Sequence, residues 1–265
     1  MKFVSDSMIQ DLIYISKLAG NEILDVYDGS FDVTIKDDLS PLTDADRRSN
    51  QVITEKLESL YPEIPILSEE GKQIDFSNRK DWNLFWLIDP LDGTKEFVKR
   101  NGEFTVNIAL IKNGNPIAGV VYAPVNSVCW YGAENFGSYK ITGDADPIRI
   151  NVKDDAESPI KIVSSRSHPS PKLQSYLDRF ENHEIVGMGS SLKICLVADG
   201  SAHIYPRLGP TMEWDSGAGH AVLKFAGGYL TDTTTGNELI YNKEILKNPD
   251  FICYGSKIKE HYEVL

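Results

Sequence analysis

The chain has 265 residues, enough for one large domain or two closely joined ones, and its 41% hydrophobic and 25% charged content is that of an ordinary globular protein. A net charge of −12 at pH 7, with a pI near 4.9, excludes general attraction to polymeric nucleic acid, which requires a basic surface. A small anionic substrate remains compatible with that charge where bound cations and a few local Lys or Arg side chains reverse the field.

Residues 5–27 place Met8, Ile9, Leu12, Ile13, Ile15, Leu18, Ala19, Ile23 and Val26 at helical spacing, and Asp28-Gly29 ends the run. Phe31, Val33 and Ile35 alternate like a strand, followed by a loop over 36–41. Thr43 or Asp44 caps a second helix to about Leu60, with Val52, Ile53, Leu57 and Leu60 on one face, and Pro62 and Pro65 break it. Ile66 to Ser68 is a short strand ending in Glu69-Glu70-Gly71. Leu84 to Ile88 reads as a buried strand, Phe104 to Lys112 as another, with a hairpin through Asn113-Gly114-Asn115 to Pro116–Ala123. Val128–Ala133, Gly137–Ile141 and Ile148–Val152 continue the meander.

The second half changes character. A strand over 160–163 is followed by helices at 171–180, 190–199 and 214–226, separated by strands at 183–187, 203–206 and 229–231. This alternation predicts an α/β lobe over 151–265, behind an α+β lobe over 1–150, joined through the polar stretch Asp144 to Ser158. No internal repeat or low-complexity segment is present.

The chemistry concentrates at Trp86-Leu87-Ile88-Asp89-Pro90-Leu91-Asp92-Gly93-Thr94. A buried strand delivers Asp89 to a turn. Pro90, which has no N–H to donate, stops regular pairing there, and Asp92 follows within three residues. Two carboxylates at the end of a buried strand are costly unless a positive group joins them. Hard cations such as Mg²⁺ take oxygen ligands, and the amides that open the following helix suit a phosphate. Glu69-Glu70, Asp215 after Trp214, and Thr43-x-x-Asp46 offer further carboxylates at helix or strand ends. Each of them singly also reads as a helix cap or dipole partner. Cys129, Cys195 and Cys253 form no CxxC pair, and so few cysteines fit a reducing compartment; the first two lie in apolar runs and read as packing residues. His183, His203 and His261 show no ligand spacing, and His220 packs within the Asp215 helix.

Glu69-Glu70, Trp86-x-Ile88-Asp89-Pro90-Leu91-Asp92-Gly93-Thr94 and Trp214-Asp215-x-x-Ala218-Gly219, in this order, closely resemble the inositol monophosphatase superfamily, over essentially the whole chain. The run Asp92 to Ile111, with Ser165-Arg166-Ser167-His168, Gly189 to Lys193 and Tyr205-Pro206-Arg207-x-Gly209-Pro210-Thr211, is similar to its CysQ-type 3'(2'),5'-bisphosphate nucleotidase branch. The resemblance implies a layered α/β (α+β) sandwich with alternating helix and sheet layers. It implies a lithium-sensitive, Mg²⁺-dependent phosphomonoesterase that converts 3'-phosphoadenosine 5'-phosphate to AMP and phosphate, within sulfate assimilation and the recycling of that nucleotide. The corresponding phosphosulfate is a second candidate substrate. Alternatives are an inositol or sugar phosphatase of the same fold, and a non-catalytic nucleotide-binding regulator.

By the same resemblance Glu69, Asp89, the Leu91 carbonyl, Asp92 and Asp215 hold Mg²⁺, two or three ions per site. Asp46 and Thr94, with Glu69, activate the attacking water, and the Gly93 and Thr94 amides hold the phosphate. Besides Glu69, Leu91, Asp92, Gly93, Thr94 and Asp215, the substrate would meet Ser165, His168, Ser190, Ser191, Lys193 and Arg207, with Lys193 as 5'-phosphate anchor and Arg166 near ribose or phosphate. The partner expected is a small nucleotide, not a polymer. The N-terminus lacks the apolar core of a signal peptide and no apolar run is long enough to span a membrane, so a cytoplasmic monomer or homodimer is expected, with peripheral membrane contact left open.

Overall fold

In the computed structural model the described residues are 3–29, 34–35, 41–153, 159–166, 171–255 and 258. In chain order they form α1 (Asp6–Tyr27), β1 (Thr34–Ile35), β2 (Pro41–Leu42), α2 (Asp44–Leu60), β3 (Ile66–Ser68), α3 (Phe76–Arg79), β4 (Leu84–Asp92) and α4 (Thr94–Val98). There follow β5 (Thr105–Lys112), β6 (Asn115–Ala123), β7 (Val128–Ala133), β8 (Gly137–Thr142), β9 (Ile148–Ile150), β10 (Ile160–Ser165) and α5 (Pro171–Leu177). The chain continues through β11 (His183–Met188), α6 (Leu192–Ala198), β12 (Ile204–Arg207), α7 (Glu213–Phe225), β13 (Gly228–Asp232) and β14 (Phe251–Gly255).

Strands β3 to β9 make a seven-stranded sheet in sequence order, and β10 to β14 a five-stranded sheet in the order β11-β10-β12-β14-β13. Every neighbouring pair of the first sheet is antiparallel except β3 with β4. Helix α1 starts at Ser5, whose hydroxyl accepts the Met8 N–H at 3.2 Å, and buries Leu12, Ile15, Ala19 and Ile23 along one stripe. With α2 it covers one face of the seven-stranded sheet, where Trp86, Ile88, Phe97, Phe104, Val106 and Ile108 fill the core. Helices α6 and α7 cover the other face through Leu87, Ala109, Cys195, Ala218 and Val222. The five-stranded sheet lies beyond them, and Tyr176 and Leu177 of α5 pack with Phe180 on its far side against Ile160, Ile252 and Tyr254. The order helix, sheet, helix, sheet, helix is the layered sandwich expected from the sequence. Burying each such apolar side chain contributes about 1.5–3 kcal/mol. The contact of α7 with β6 needs Gly119, where a Cβ would lie 2.6 Å from the Ala218 carbonyl oxygen.

Four local expectations change. Pro90 does not end the central strand: β4 runs on to Asp92, with a register shift between Asp89 and Asp92. Proline is tolerated because the shift leaves it opposite no partner that requires its N–H, and its carbonyl accepts the Ser49 hydroxyl at 2.7 Å. The helix expected from 190 begins at Leu192, since Ser190 has φ +53° and cannot join it. The helix expected to run to 180 ends at Leu177. Phe251–Gly255, assigned no element from the sequence, is the buried β14, paired on both sides. Of the early strand only Ile35 falls among the described residues; Phe31 and Val33 lie outside them, as do His168 and His261.

Candidate active site

The site begins where β4 meets its turn. Asp89 is 1% exposed, and its Oδ1 accepts the Leu91 N–H at 3.1 Å. Glu69 follows β3, which pairs parallel to β4, and its N–H donates to the Ile88 carbonyl at 3.1 Å, so the two acidic segments run side by side. Gly93 then takes φ +95° and turns the chain into α4. A side chain there would meet the Glu103 carbonyl at 3.1 Å and Ser190 Cβ at 3.2 Å, so glycine is required on both conformational and steric grounds.

The turn sets Thr94 against Asp46. The Thr94 hydroxyl lies 3.3 Å from Asp46 Oδ1 and 3.4 Å from the Leu91 carbonyl. Asp46 is 2% exposed and is the third residue of α2; its Oδ2 accepts both the N–H and the hydroxyl of Thr43, each at 2.7 Å. One carboxylate oxygen therefore locks the helix start and the other faces Thr94. Capping and catalytic readings of Asp46, alternatives in the sequence, occupy different oxygens of one group.

The second half approaches through the carboxyl ends of three strands, since β10 is parallel to both β11 and β12. Ser165 ends β10 beside Met188, Ser190 and Ser191 follow β11, and Arg207 ends β12. Thr105 of β5 draws the serines in: its hydroxyl lies 2.7 Å from Ser190 Oγ and 2.8 Å from Ser191 Oγ. The Ser191 N–H donates to Asp92 Oδ2. Lys193, 6% exposed, donates its ammonium to the Ser190 carbonyl and stands 5.5 Å from the Tyr205 ring centre. An N–H of Arg207 donates to the Pro210 carbonyl at 2.7 Å, and its buried Nε has no hydrogen-bond partner. Arg166, half exposed, forms a bidentate pair with Glu103, both contacts at 2.9 Å, and Glu103 also accepts the Gly189 N–H at 2.8 Å.

The electrostatics single out the same residues. Burial pushes Asp89 well above the usual carboxylate range, reinforced by the charges of Glu69, Asp92 and Asp215 and by a hydrogen bond with Glu69. Asp215 is pushed up to about 8 by burial and by Asp92, although the Met212 N–H, 3.0 Å from its Oδ2, opposes the shift. Asp92 is raised by burial too, against the opposing effects of Lys193 and of Ser190 and Ser191. Burial in turn lowers Lys193 to about 8. Two carboxyls that share a hydrogen bond must hold a proton between them, where a cation would let both ionise. Among the described residues no three His, Cys, Asp or Glu side chains stand arranged to hold a metal ion. The carboxyls of Glu69, Asp92 and Asp215 raise Asp89, those of Asp92 and Glu69 raise Asp215, and a hard divalent cation, which takes oxygen ligands, would relieve that repulsion.

Sequence reasoning gave no individual role to Glu103, Thr105 and Asn107, although the motif containing them was recognised. The signal was there: Thr105 and Asn107 are polar at alternate positions of an otherwise apolar strand, on one face of the sheet. The described histidines stand apart from this chemistry. His220 is fully buried between the Tyr241 hydroxyl at 2.9 Å and Glu238 at 3.0 Å, and His203 Nδ1 accepts the Lys161 N–H at 2.9 Å. Cys129, Cys195 and Cys253 are buried free thiols.

Comparison with known proteins agrees with this geometry. The inositol monophosphatase family model matches residues 6–262. The 3'(2'),5'-bisphosphate nucleotidase CysQ of Salmonella typhimurium is 46% identical over 247 residues, covering 92% of this chain and 98% of that protein. The CysQ of Escherichia coli K12 gives the same identity and coverage. The crystal structure of CysQ from Bacteroides thetaiotaomicron superposes with a TM-score of 0.84 at 41% identity, covering 94% of this chain and 97% of that one. An inositol monophosphatase of Thermotoga maritima reaches 0.78 at 25% identity, covering 96% and 94%. The chain belongs to the inositol monophosphatase family, a family of metal-dependent phosphatases.

Proposed function

We propose that this protein is a Mg²⁺-dependent 3'(2'),5'-bisphosphate nucleotidase that hydrolyses 3'-phosphoadenosine 5'-phosphate to AMP and phosphate. One observation carries the reading: Thr94 and Asp46 stand together at the turn that also bears Asp89 and Asp92, while Ser190, Ser191 and Lys193 reach that turn from the second half. Relatives named as this nucleotidase, 46% identical along nearly their whole length, support the choice of substrate.

Glu69, Asp89, the Leu91 carbonyl, Asp92 and Asp215 would hold Mg²⁺, which when bound supplies charge to activate water and to neutralise the leaving oxygen. The chain's own residues do the rest. A threonine hydroxyl is too weak a base by itself, but Thr94 can take a proton from water as it passes its own to Asp46 Oδ1, 3.3 Å away. The Thr43 donors hold Asp46 in place for that step. The Gly93 and Thr94 amides would hold the 3'-phosphate, and Ser165, His168, Ser190, Ser191 and Arg207 the nucleoside and its 5'-phosphate; of these, His168 lies outside the described residues. The buried Nε of Arg207, which lacks an acceptor, suits such an anion.

Phosphate release from 3'-phosphoadenosine 5'-phosphate, 3'-AMP, inositol 1-phosphate and fructose 1,6-bisphosphate tests the assignment, with the bisphosphorylated nucleoside expected to have the highest kcat/KM. A preference for inositol or sugar phosphate would replace it with another phosphatase of the family. Lys193→Ala is the sharper probe. A charge-assisted contact is worth about 1.5–3 kcal/mol, so loss of a 5'-phosphate anchor raises KM for the bisphosphate roughly ten- to a hundredfold and leaves 3'-AMP nearly unchanged. An equal loss on both substrates would restrict Lys193 to its contacts with Ser190 and the field of Asp92.

A further inference from the structure

Asn107 holds an unusual position. It lies on β5 directly opposite Asp89 of β4, as Thr105 lies opposite Asp92. Side chains directly opposite on antiparallel strands leave the same face, with about 4.5–5.5 Å between Cβ atoms. That face is the one carrying Leu87 and Ala109 toward α6 and α7, whereas Ile88 and Ile108 belong to the opposite core. Asn107 is 1% exposed. Its Oδ1 is engaged twice, by the Ser191 hydroxyl at 2.8 Å and the Thr105 hydroxyl at 3.2 Å. Its Nδ2, also buried, has no hydrogen-bond partner. Leaving such a donor unpaired is costly, and an apolar side chain would avoid the cost. Rotating the amide by half a turn would give up both hydroxyl donors, so these bonds keep the N–H on the side away from the serines.

We infer that Asn107 is a positioning residue: its N–H orients the Asp89 carboxylate, and its carbonyl ties that carboxylate to the Ser190–Ser191 turn of the second half. This rests on the proposed role of Asp89 as a cation ligand. Asp89, directly opposite on the same face, is the acceptor that the register offers this donor, and Thr105, bonded to both serines, holds the amide in the orientation needed. The serine turn and the carboxylates then keep one fixed spacing, as a substrate bridging them requires.

The test is Mg²⁺ binding measured by calorimetry on the substrate-free protein, with Asn107→Leu, Thr105→Val and Asp89→Asn compared with wild type. Loss of an outer partner of a metal ligand typically weakens the metal by about 10–100-fold. Asn107→Leu should show a loss of that size. Thr105→Val should weaken Mg²⁺ by a smaller factor, since it loosens the amide without removing it. A merely structural role would lower the thermal midpoint and leave the Mg²⁺ affinity of the folded protein unchanged; that result overturns the inference. If Asn107→Leu does not fold, Thr105→Val decides, and wild-type Mg²⁺ affinity there overturns it equally. Wild-type affinity in Asp89→Asn instead overturns the ligand reading beneath it, an outcome distinct from Asp89→Asn losing Mg²⁺ while Asn107→Leu keeps it.

Discussion

Asp46 separates stability from chemistry, because its two oxygens serve different partners. Asp46→Ala strips Thr43 of both its contacts. Loss of a helix cap costs about 0.5–2 kcal/mol, and a buried donor left unpaired costs about 1–3 kcal/mol. The sum, about 1.5–5 kcal/mol, would lower the melting temperature by roughly 3–20 °C for a chain of this size. Asp46→Asn behaves differently. Its carbonyl oxygen still accepts from Thr43, and its amide replaces only the oxygen that faces Thr94 at 3.3 Å. Stability should fall by about 1 kcal/mol or less, mainly from the lost charge in the first turn of α2. Its kcat should fall by about 10²–10⁴-fold, since an amide cannot take the proton that Thr94 releases. Urea titrations at fixed Mg²⁺ and steady-state phosphate release measure the two effects separately. A folded Asp46→Asn variant with kcat within about threefold of wild type would remove Asp46 from the proton relay. Equal destabilisation by the two substitutions would refute the division of labour between its oxygens.

Other expectations follow from single observations. Gly93→Ala meets both a left-handed backbone and a carbonyl at 3.1 Å; about 1–2 kcal/mol of strain and about 1–3 kcal/mol of overpacking should appear as a lower urea midpoint, and an unchanged midpoint would contradict the geometry. Chelation should abolish phosphate release and added Mg²⁺ restore it, while Li⁺ should inhibit relative to K⁺ at equal ionic strength; full turnover by demonstrably metal-free protein would rule out the cation. Glu238, bonded to His220 and Lys224, is held down to about 2, so the stability it contributes is complete above its ordinary value of 4.5 and is lost as pH falls from there toward 2. Burial lowers His220 as well, so the unfolded chain takes up a proton there before the folded one, and stability also declines as pH drops below about 6.5. Glu238→Gln should flatten the lower part of the profile, and an unaltered slope between pH 4.5 and 2 would show that the contact adds nothing.

Much of this organisation is legible in the sequence, for identifiable reasons. A period-3.6 stripe reveals α1 because one face of it lies in a core, whereas β5 and β6, buried on both faces, show as apolar runs on either side of the Asn113-Gly114 turn. β14 escapes because the segment Phe251–Gly255 is buried throughout and follows a long irregular stretch, so no alternation marks it. The end of β4 is misread because proline is weighed against a regular ladder, whereas the register shift supplies a position at which no N–H is needed. The carboxylates stand out as acidic residues at element ends, a local signal. The contact of Arg166 with Glu103 and the placement of Asn107 opposite Asp89 depend on pairing across 63 and 18 positions, which no local pattern encodes.

That difference bears on how an acidic chain can host a phosphate site. The sequence offers carboxylates and a net charge of −12, and the local pattern gives no reason for them to cluster. The fold supplies the reason in two steps. The sheet register and α7 bury Asp89, Asp92 and Asp215, which raises each above its ordinary range, and the field of Asp92 adds to the shift of Asp89 and of Asp215. The second half then sets one buried ammonium, Lys193, and the Ser191 N–H against Asp92. Lys193 and, at Asp215, Arg207 offset part of that negative charge, so a bound cation would make the site more attractive to phosphate.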